Sequence, residues 1–188
     1  MKAQRRNIEL KARCSDLATV HAKAQNLGAR DMGILCQRDT FFAAPHARLK
    51  LREFGDGRAE LISYVRPDVA TARGSDYVLA PIAHLADLRA ALEHALGIVG
   101  TVSKRRHLFL IQATRIHLDE VEGLGSFVEL ETVIDRQSED EAFSELRTIA
   151  EALGIQATDL VALPYTEQLE HLRSVPQPGV KPGQRQSE

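Results

Sequence analysis

Several short stretches of the chain carry like charges two residues apart. Arg48, Lys50 and Arg52 form one cluster, Lys104 and Arg106 another, and Glu129 and Glu131 a third. Glu9 with Lys11, Tyr64 with Arg66, and Arg115 with His117 and Asp119 keep the same step, and Glu60 shares the parity of Tyr64. In an extended strand alternate side chains share a face, so these like charges crowd and repel one another. On one strand alone, polar alternation is the wet side of a half-buried sheet. A solvent face mixes Ser, Thr, Gln, Lys and Glu, whereas these faces gather cations on some strands and carboxylates on others. Something of opposite charge must sit between them. Arginine forks and lysine ammoniums match phosphate oxygens. Carboxylates match a hard divalent cation, Mg2+ or Mn2+, that bridges to the same oxygens. A small-molecule triphosphate with its metal satisfies both walls at once.

Positioning such residues asks for strands laid side by side. Asn7 to Arg13 alternates, with Ile8, Leu10 and Ala12 on the apolar face. Ser15 is placed to cap a helix that ends at Gly28, and a second extended run covers Gly33 to Ala43. Arg48 to Arg52, the Asp56-Gly57 turn and Arg58 to Arg66 read as a hairpin closed by Pro67. Residues 67–76 read as a loop, and Tyr77 to Ala80 as a short strand. Leucines at 85, 88, 92 and 96 form a helical stripe ending at Gly97. Val99 to Gln112, Thr114 to Val121 and Phe127 to Ile134 are further strands, the last two joined by the Glu122–Gly125 turn. Ser138 and Glu141 form a capping box for a helix ending at Gly154, and a last helical segment over Asp159 to Leu172 is interrupted by Pro164. About eight strands at hairpin spacing predict an α+β protein: a closed eight-stranded antiparallel β-barrel, charged faces inward and helices packed outside. The order of elements hints at two similar halves.

Composition narrows the partners. The chain has 188 residues, 44% hydrophobic and 27% charged, with a formal charge of -2. It lacks the overall basic field of a nucleic-acid binder, so a polyanion site must be local. Cys14 and Cys36 have neither metal-ligand spacing nor a disulfide framework around them. The start of the chain has no apolar signal core, and no apolar run nears the roughly 20 residues needed to cross a bilayer. A cytoplasmic protein, with no nucleic-acid or membrane partner, is the expectation. Residues 1–173 are read as one domain and 174–188, rich in Pro, Gln and Gly, as a disordered tail.

The same residues carry a family resemblance. Ile8-Glu9-Leu10-Lys11 is similar to the opening signature of the CYTH, or triphosphate tunnel metalloenzyme, superfamily, which includes class IV adenylyl cyclases and thiamine and inorganic triphosphatases. The similarity continues through Asp39-Thr40-Phe41-Phe42, Arg48 to Glu53, Leu61 to Pro67, Lys104-Arg105-Arg106 and the run Leu118 to Glu131. An ordered series of this length is far more specific than any one motif.

The resemblance implies roles. Glu9, Glu129 and Glu131 are expected as metal ligands for Mg2+ or Mn2+. Lys11, Arg48, Lys50, Arg52, Arg66, Lys104 and Arg106 are expected at the phosphates, with Lys11, Arg52, Lys104, Arg106 and Asp119 in catalytic positions. Tyr165 resembles a tyrosine of the family's C-terminal part, and core packing serves equally well for it. Two positions depart from the pattern: Asn7 stands where the family's Glu-x-Glu-x-Lys has its first glutamate, and Arg66 where many members have lysine. The implied reaction is either conversion of ATP to cyclic AMP and pyrophosphate or hydrolysis of ATP, tripolyphosphate or thiamine triphosphate. A non-catalytic binder of triphosphate, nucleotide or polyphosphate is the alternative. A homodimer is compatible with the resemblance.

Overall fold

A computed structural model describes residues 4–174. Alternation decides the strands: β1 (Arg5–Arg13), β2 (Arg30–Phe42), β3 (Arg48–Phe54), β4 (Ala59–Val65), β5 (Arg73–Ile82), β6 (Ile98–Ile111), β7 (Thr114–Val121) and β8 (Gly125–Ile134). The helices α1 (Leu17–Asn26), α2 (Leu85–Leu96), α3 (Glu139–Leu153) and α4 (Tyr165–Ser174) fall between or after them. The strands close into an antiparallel barrel in the order β1-β5-β4-β3-β2-β6-β7-β8. Closure leaves no strand edge unpaired.

The expected eight-stranded barrel is therefore present, with two boundary corrections. Residues 67–76 are not all loop, because β5 begins at Arg73 and pairs Arg73 with Glu9, Gly74 with Ile8 and Ser75 with Asn7. Arg73-Gly74-Ser75-Asp76 looks like a turn because both its faces are polar; one faces the lumen, and the other lies under the Arg6 guanidinium. A Cβ on Gly74 would come within 2.5 Å of an Arg6 Nη atom, which is why a glycine fits there. Strand β2 starts at Arg30, ahead of the expected Gly33. Helix α1 is capped by Asp16, not Ser15, through the Thr19 amide at 3.0 Å. The Ser138–Glu141 capping box of α3 forms as expected. Pro164 separates the 3-10 turn Ala157–Asp159 from α4. Ser174 closes α4, and the remainder of the expected tail lies outside the described residues.

Two apolar clusters hold the barrel. Ile8, Leu10, Ile116, Leu118, Val128 and Leu130 point outward from β1, β7 and β8 and meet Val20 and Ala24 of α1 and Leu146, Ile149 and Leu153 of α3. Each such fully buried side chain contributes roughly 1.5–3 kcal/mol. The second cluster, Val102, Val121, Leu124, Phe127 and Tyr165, includes strand residues with the parity of the lumen and closes one barrel end beneath α4. The α2 leucine stripe is only half-buried.

Candidate active site in the barrel lumen

Strand parity builds the site. The inward positions of β1 are Asn7, Glu9 and Lys11, and all three are buried. Lys50 and Arg52 come from β3, Tyr64 and Arg66 from the β4 end, Lys104 and Arg106 from β6, and Glu129 and Glu131 from β8. They line a cavity of about 120 Å³, bounded at the α4 side by Pro164 and Tyr165.

Each cation is held by a carboxylate. Arg52 donates to Asp39 through both Nε and Nη2 at 2.7 Å, and Lys50 donates to it at 3.1 Å. Arg106 grips Asp119 the same way, with two bonds of 2.6 Å, and reaches Glu129 at 2.6 Å. Lys11 lies 3.4 Å from Glu129 and 3.8 Å over the Tyr165 ring. Tyr165 donates its hydroxyl to Asp119 at 3.1 Å, which ties α4 to the lumen. Glu9 is flanked by Arg73 at 3.1 Å and Arg66 at 3.3 Å.

These contacts set the charge states. Burial opposes ionisation of Asp39, but Arg52, Lys50 and Lys104 outweigh it and hold its carboxyl well below the usual range. Burial likewise opposes ionisation of Asp119, and Arg106 with Lys104 brings it to about 2. Lys104 moves the other way. Burial and then the Arg106 charge lower it to about 7, although Asp39 and Asp119 each lie 3.8 Å from its Nζ. The Glu9 carboxyl is raised, first by burial and then by the charge of Glu129. Burial and Arg106 push His117 down.

The acidic side of the lumen fits a divalent cation. Glu9 and Glu131 are direct cross-strand partners of β1 and β8, an arrangement that repels without a cation between. Ligand atoms of His117, Glu129 and Glu131 all lie within 4.8 Å of one another. His117 Nδ1 is buried with no hydrogen-bond partner among the described residues. Glu9, expected with the two glutamates, stands beside this cluster, engaged with its arginines.

Of the expected phosphate residues, Lys11, Lys50, Arg52, Arg66, Lys104 and Arg106 line the cavity. Arg48 sits outside that lining, paired with Asp68 and 3.5 Å from Glu167. Asp119 is fully buried behind Arg106 and steers it, without lining the cavity itself. Glu60 shares the inward parity but is not part of the lining. Arg105 faces solvent and pairs with Glu120 at 3.0 Å, as its parity requires. Sequence reasoning missed Asp39, Arg73, Ser75 and Tyr77. Asp39 gives no signal of its own, because its inward neighbours Gln37 and Phe41 are uncharged and form no charged stripe. The other three belong to β5, or to its misread start.

A closed antiparallel barrel with an ionised lumen is the class that this fold and site define. The CYTH domain model matches residues 5–165. The chain belongs to the CYTH domain family. A comparison with curated proteins found no match. Among solved structures, the PH1012 protein of Pyrococcus horikoshii OT3 is similar with a TM-score of 0.77 and 23% identity, over 86% of this chain and 98% of that one. A candidate adenylate cyclase of Vibrio parahaemolyticus gives 0.73 and 21%, over 87% and 97%. HpAC1 of Hippeastrum, described with a dominant triphosphatase activity, gives 0.61 and 12%, over 90% and 98%. At these identities the likeness is one of fold.

Proposed function

We propose that this chain is a divalent-metal-dependent enzyme that cleaves a phosphoanhydride bond of a small triphosphate held in the lumen. One observation carries the reading: a buried basic wall and a buried acidic wall face the same cavity, with every cation already oriented by a carboxylate. Family membership, the Vibrio structure and the triphosphatase activity of HpAC1 support the class of substrate. Cyclisation of ATP and hydrolysis of a triphosphate both begin from this placement.

Phosphoryl transfer asks a protein to position groups and stabilise charge. Lys11, Lys50, Arg52 and Arg66 would bind the phosphate chain. Lys104 and Arg106, with Arg52, would neutralise charge developing on the leaving phosphates. Asp39 and Asp119 fix the guanidinium planes, and so act as positioning residues. Glu129 and Glu131, with His117 and Glu9 beside them, would hold the metal. Mg2+ and Mn2+ both suit the carboxylates, and the imidazole shifts preference toward Mn2+. When bound, that ion supplies charge neutralisation on phosphate oxygens and activation of the nucleophile.

A second reading, a non-catalytic triphosphate binder, is favoured by Asn7, a neutral residue in the family's first acidic position, and by the engagement of Glu9 with two arginines. Incubation with tripolyphosphate, thiamine triphosphate and ATP, each with Mg2+ or Mn2+, separates the readings. Phosphate, pyrophosphate and cyclic AMP are measured together. Turnover abolished by Glu131→Gln and by Lys104→Ala is expected. Tight, salt-sensitive binding without turnover would leave the binder; full activity in both variants would remove the site.

A further inference from the structure

Outside the lumen, on the far face of β6, three potential metal ligands from three elements converge. We propose that His21, Asp31 and His107 form a second site, for a divalent transition metal of the Zn2+ type, distinct from the lumen. His21 comes from α1, Asp31 from the start of β2 and His107 from β6. One ligand atom from each lies within 4.8 Å of the other two. Four-coordinate Zn2+ with bonds of about 2.0–2.1 Å keeps ligand atoms roughly 3.3 Å apart. The Asp31–His107 edge, a hydrogen bond of 2.7 Å, would open slightly on binding and the edges to His21 would shorten, changes that small rotations of the exposed Asp31 side chain and of His21 supply.

The geometry around the three residues is specific. Asp31 lies where the β2–β6 register slips between Asp31 and Ile34. The slip is made possible by Gly33, whose φ of +81° few side chains tolerate. Its amide donates to Asp31 Oδ1 at 2.7 Å, and the same oxygen lies 2.7 Å from His107 Nε2. The carboxylate is thereby held below its ordinary pKa, by the Gly33 amide first and then by His107. Phe109 orients both imidazoles: it stacks on His107 with centroids 4.6 Å apart and meets His21 edge-on at 5.0 Å. A plain His–Asp hydrogen bond explains the pair. It does not explain a second imidazole delivered by another element onto the same aromatic platform.

Imidazole nitrogen with one carboxylate suits a borderline ion such as Zn2+ better than Mg2+. Asp31 is exposed and His107 only partly covered, so the ion has an entry path from solvent. Three protein ligands leave one position for water or for a group from outside. The ion would staple α1 to the β2 bulge and to β6, on the face opposite Arg106, the residue before His107.

The test is Zn2+ titration of the full chain by equilibrium dialysis in excess Mg2+, with Co2+ absorption to report imidazole ligation. One Zn2+ per chain is expected, with tetrahedral Co2+ bands. Affinity should fall about tenfold or more in His21→Ala and in Asp31→Asn, whose side chain is exposed and whose loss does not threaten folding. Glu131→Gln, which removes a lumen carboxylate, should leave this binding unchanged. Unaltered affinity in both His21→Ala and Asp31→Asn, or loss confined to Glu131→Gln, would overturn the proposal.

Discussion

Replacing Asp39 by asparagine tests whether the lumen carboxylates stand in for substrate charge. Asp39 is 2% exposed and is the shared acceptor of Arg52 and Lys50, with Lys104 at 3.8 Å. Asparagine keeps the size and one acceptor but removes the charge, leaving Arg52 and Lys50 without their counter-ion and Lys104 with Asp119 alone. Breaking a buried pair from one side costs about 3–5 kcal/mol. Lys104, already near 7, sheds its proton readily, so the lower end, about 3 kcal/mol, is expected. A domain stable by roughly 5–15 kcal/mol survives that loss. The same cations are then free for phosphate, so tripolyphosphate should bind Asp39→Asn more tightly than the native chain. A tenfold gain in affinity adds about 1.4 kcal/mol of ligand-linked stability at fixed saturating ligand. Urea unfolding with and without tripolyphosphate measures both quantities. The acid limb adds a check with a definite sign. The depressed Asp39 carboxyl contributes stability that is full above the ordinary carboxylate range and is lost as pH falls toward its folded value. The variant should therefore lose less stability on acidification. Native-like stability at neutral pH, or weaker rescue by tripolyphosphate than in the native chain, would refute the stand-in role.

Other outcomes follow from the same contacts. Burial lowers Lys104 to about 7 in the free chain; phosphate charge beside it favours the ammonium, so triphosphate binding at pH 8 should take up a proton. Calorimetry in buffers of different ionisation enthalpy reads that proton, and its persistence in Lys104→Met would overturn the assignment. Tyr165→Phe removes the hydroxyl bond to Asp119 and keeps the ring, so a loss of about 1 kcal/mol is expected in denaturant unfolding. Tyr165→Ala should cost about 3–5 kcal/mol, because the ring also packs against Phe127 beneath α4; equal costs for the two would deny the ring its packing role. Gly74→Ala displaces Arg6 from Asp76 and Glu139 and should cost about 1 kcal/mol. In an Arg6→Ala background the same change should cost almost nothing, and additive losses in the double variant would show that the close approach is irrelevant.

What was legible in the sequence depended on contrast between strand faces. In β1, β7 and β8 charge alternates with leucine, isoleucine or valine, so both the strand and its inward face could be read; in β6 only the two-residue step from Lys104 to Arg106 marked the inward face. In β3 the face was right but its reach was not. Arg48, at the strand's first residue, turns to Asp68 and Glu167 at the rim. β5 failed at its start because Gly74 and Asp76 are outward and polar, serving Arg6 where other strands present an apolar residue to a helix. Parity also placed His117 in the lumen, but its company there, two glutamates from the neighbouring strand, is a matter of register between β7 and β8. Register is a pairing property that no single segment encodes.

The corrected start of β5 exposes a symmetry in the barrel. With that strand in place the chain reads strand-helix-strand-strand-strand twice, β1 to β4 and β5 to β8. Exchanging the two halves maps the ring of strands onto itself. Under this exchange Asp39 of β2 falls on Arg106 of β6, and Arg52 of β3 on Asp119 of β7. Both pairs are bidentate, but the charges are reversed. Such reversal hides a repeat from any comparison of residue types, and so the halves share an order of elements without a shared motif. The first half presents Glu9, Lys11, Lys50 and Arg52, and the second Lys104, Arg106, Glu129 and Glu131. Glu129 and Glu131 fall on Ile62 and Tyr64 of β4 under the same exchange, so this acidic pair has no charged counterpart, while basic residues reach the lumen from both halves, as a metal-bound triphosphate requires.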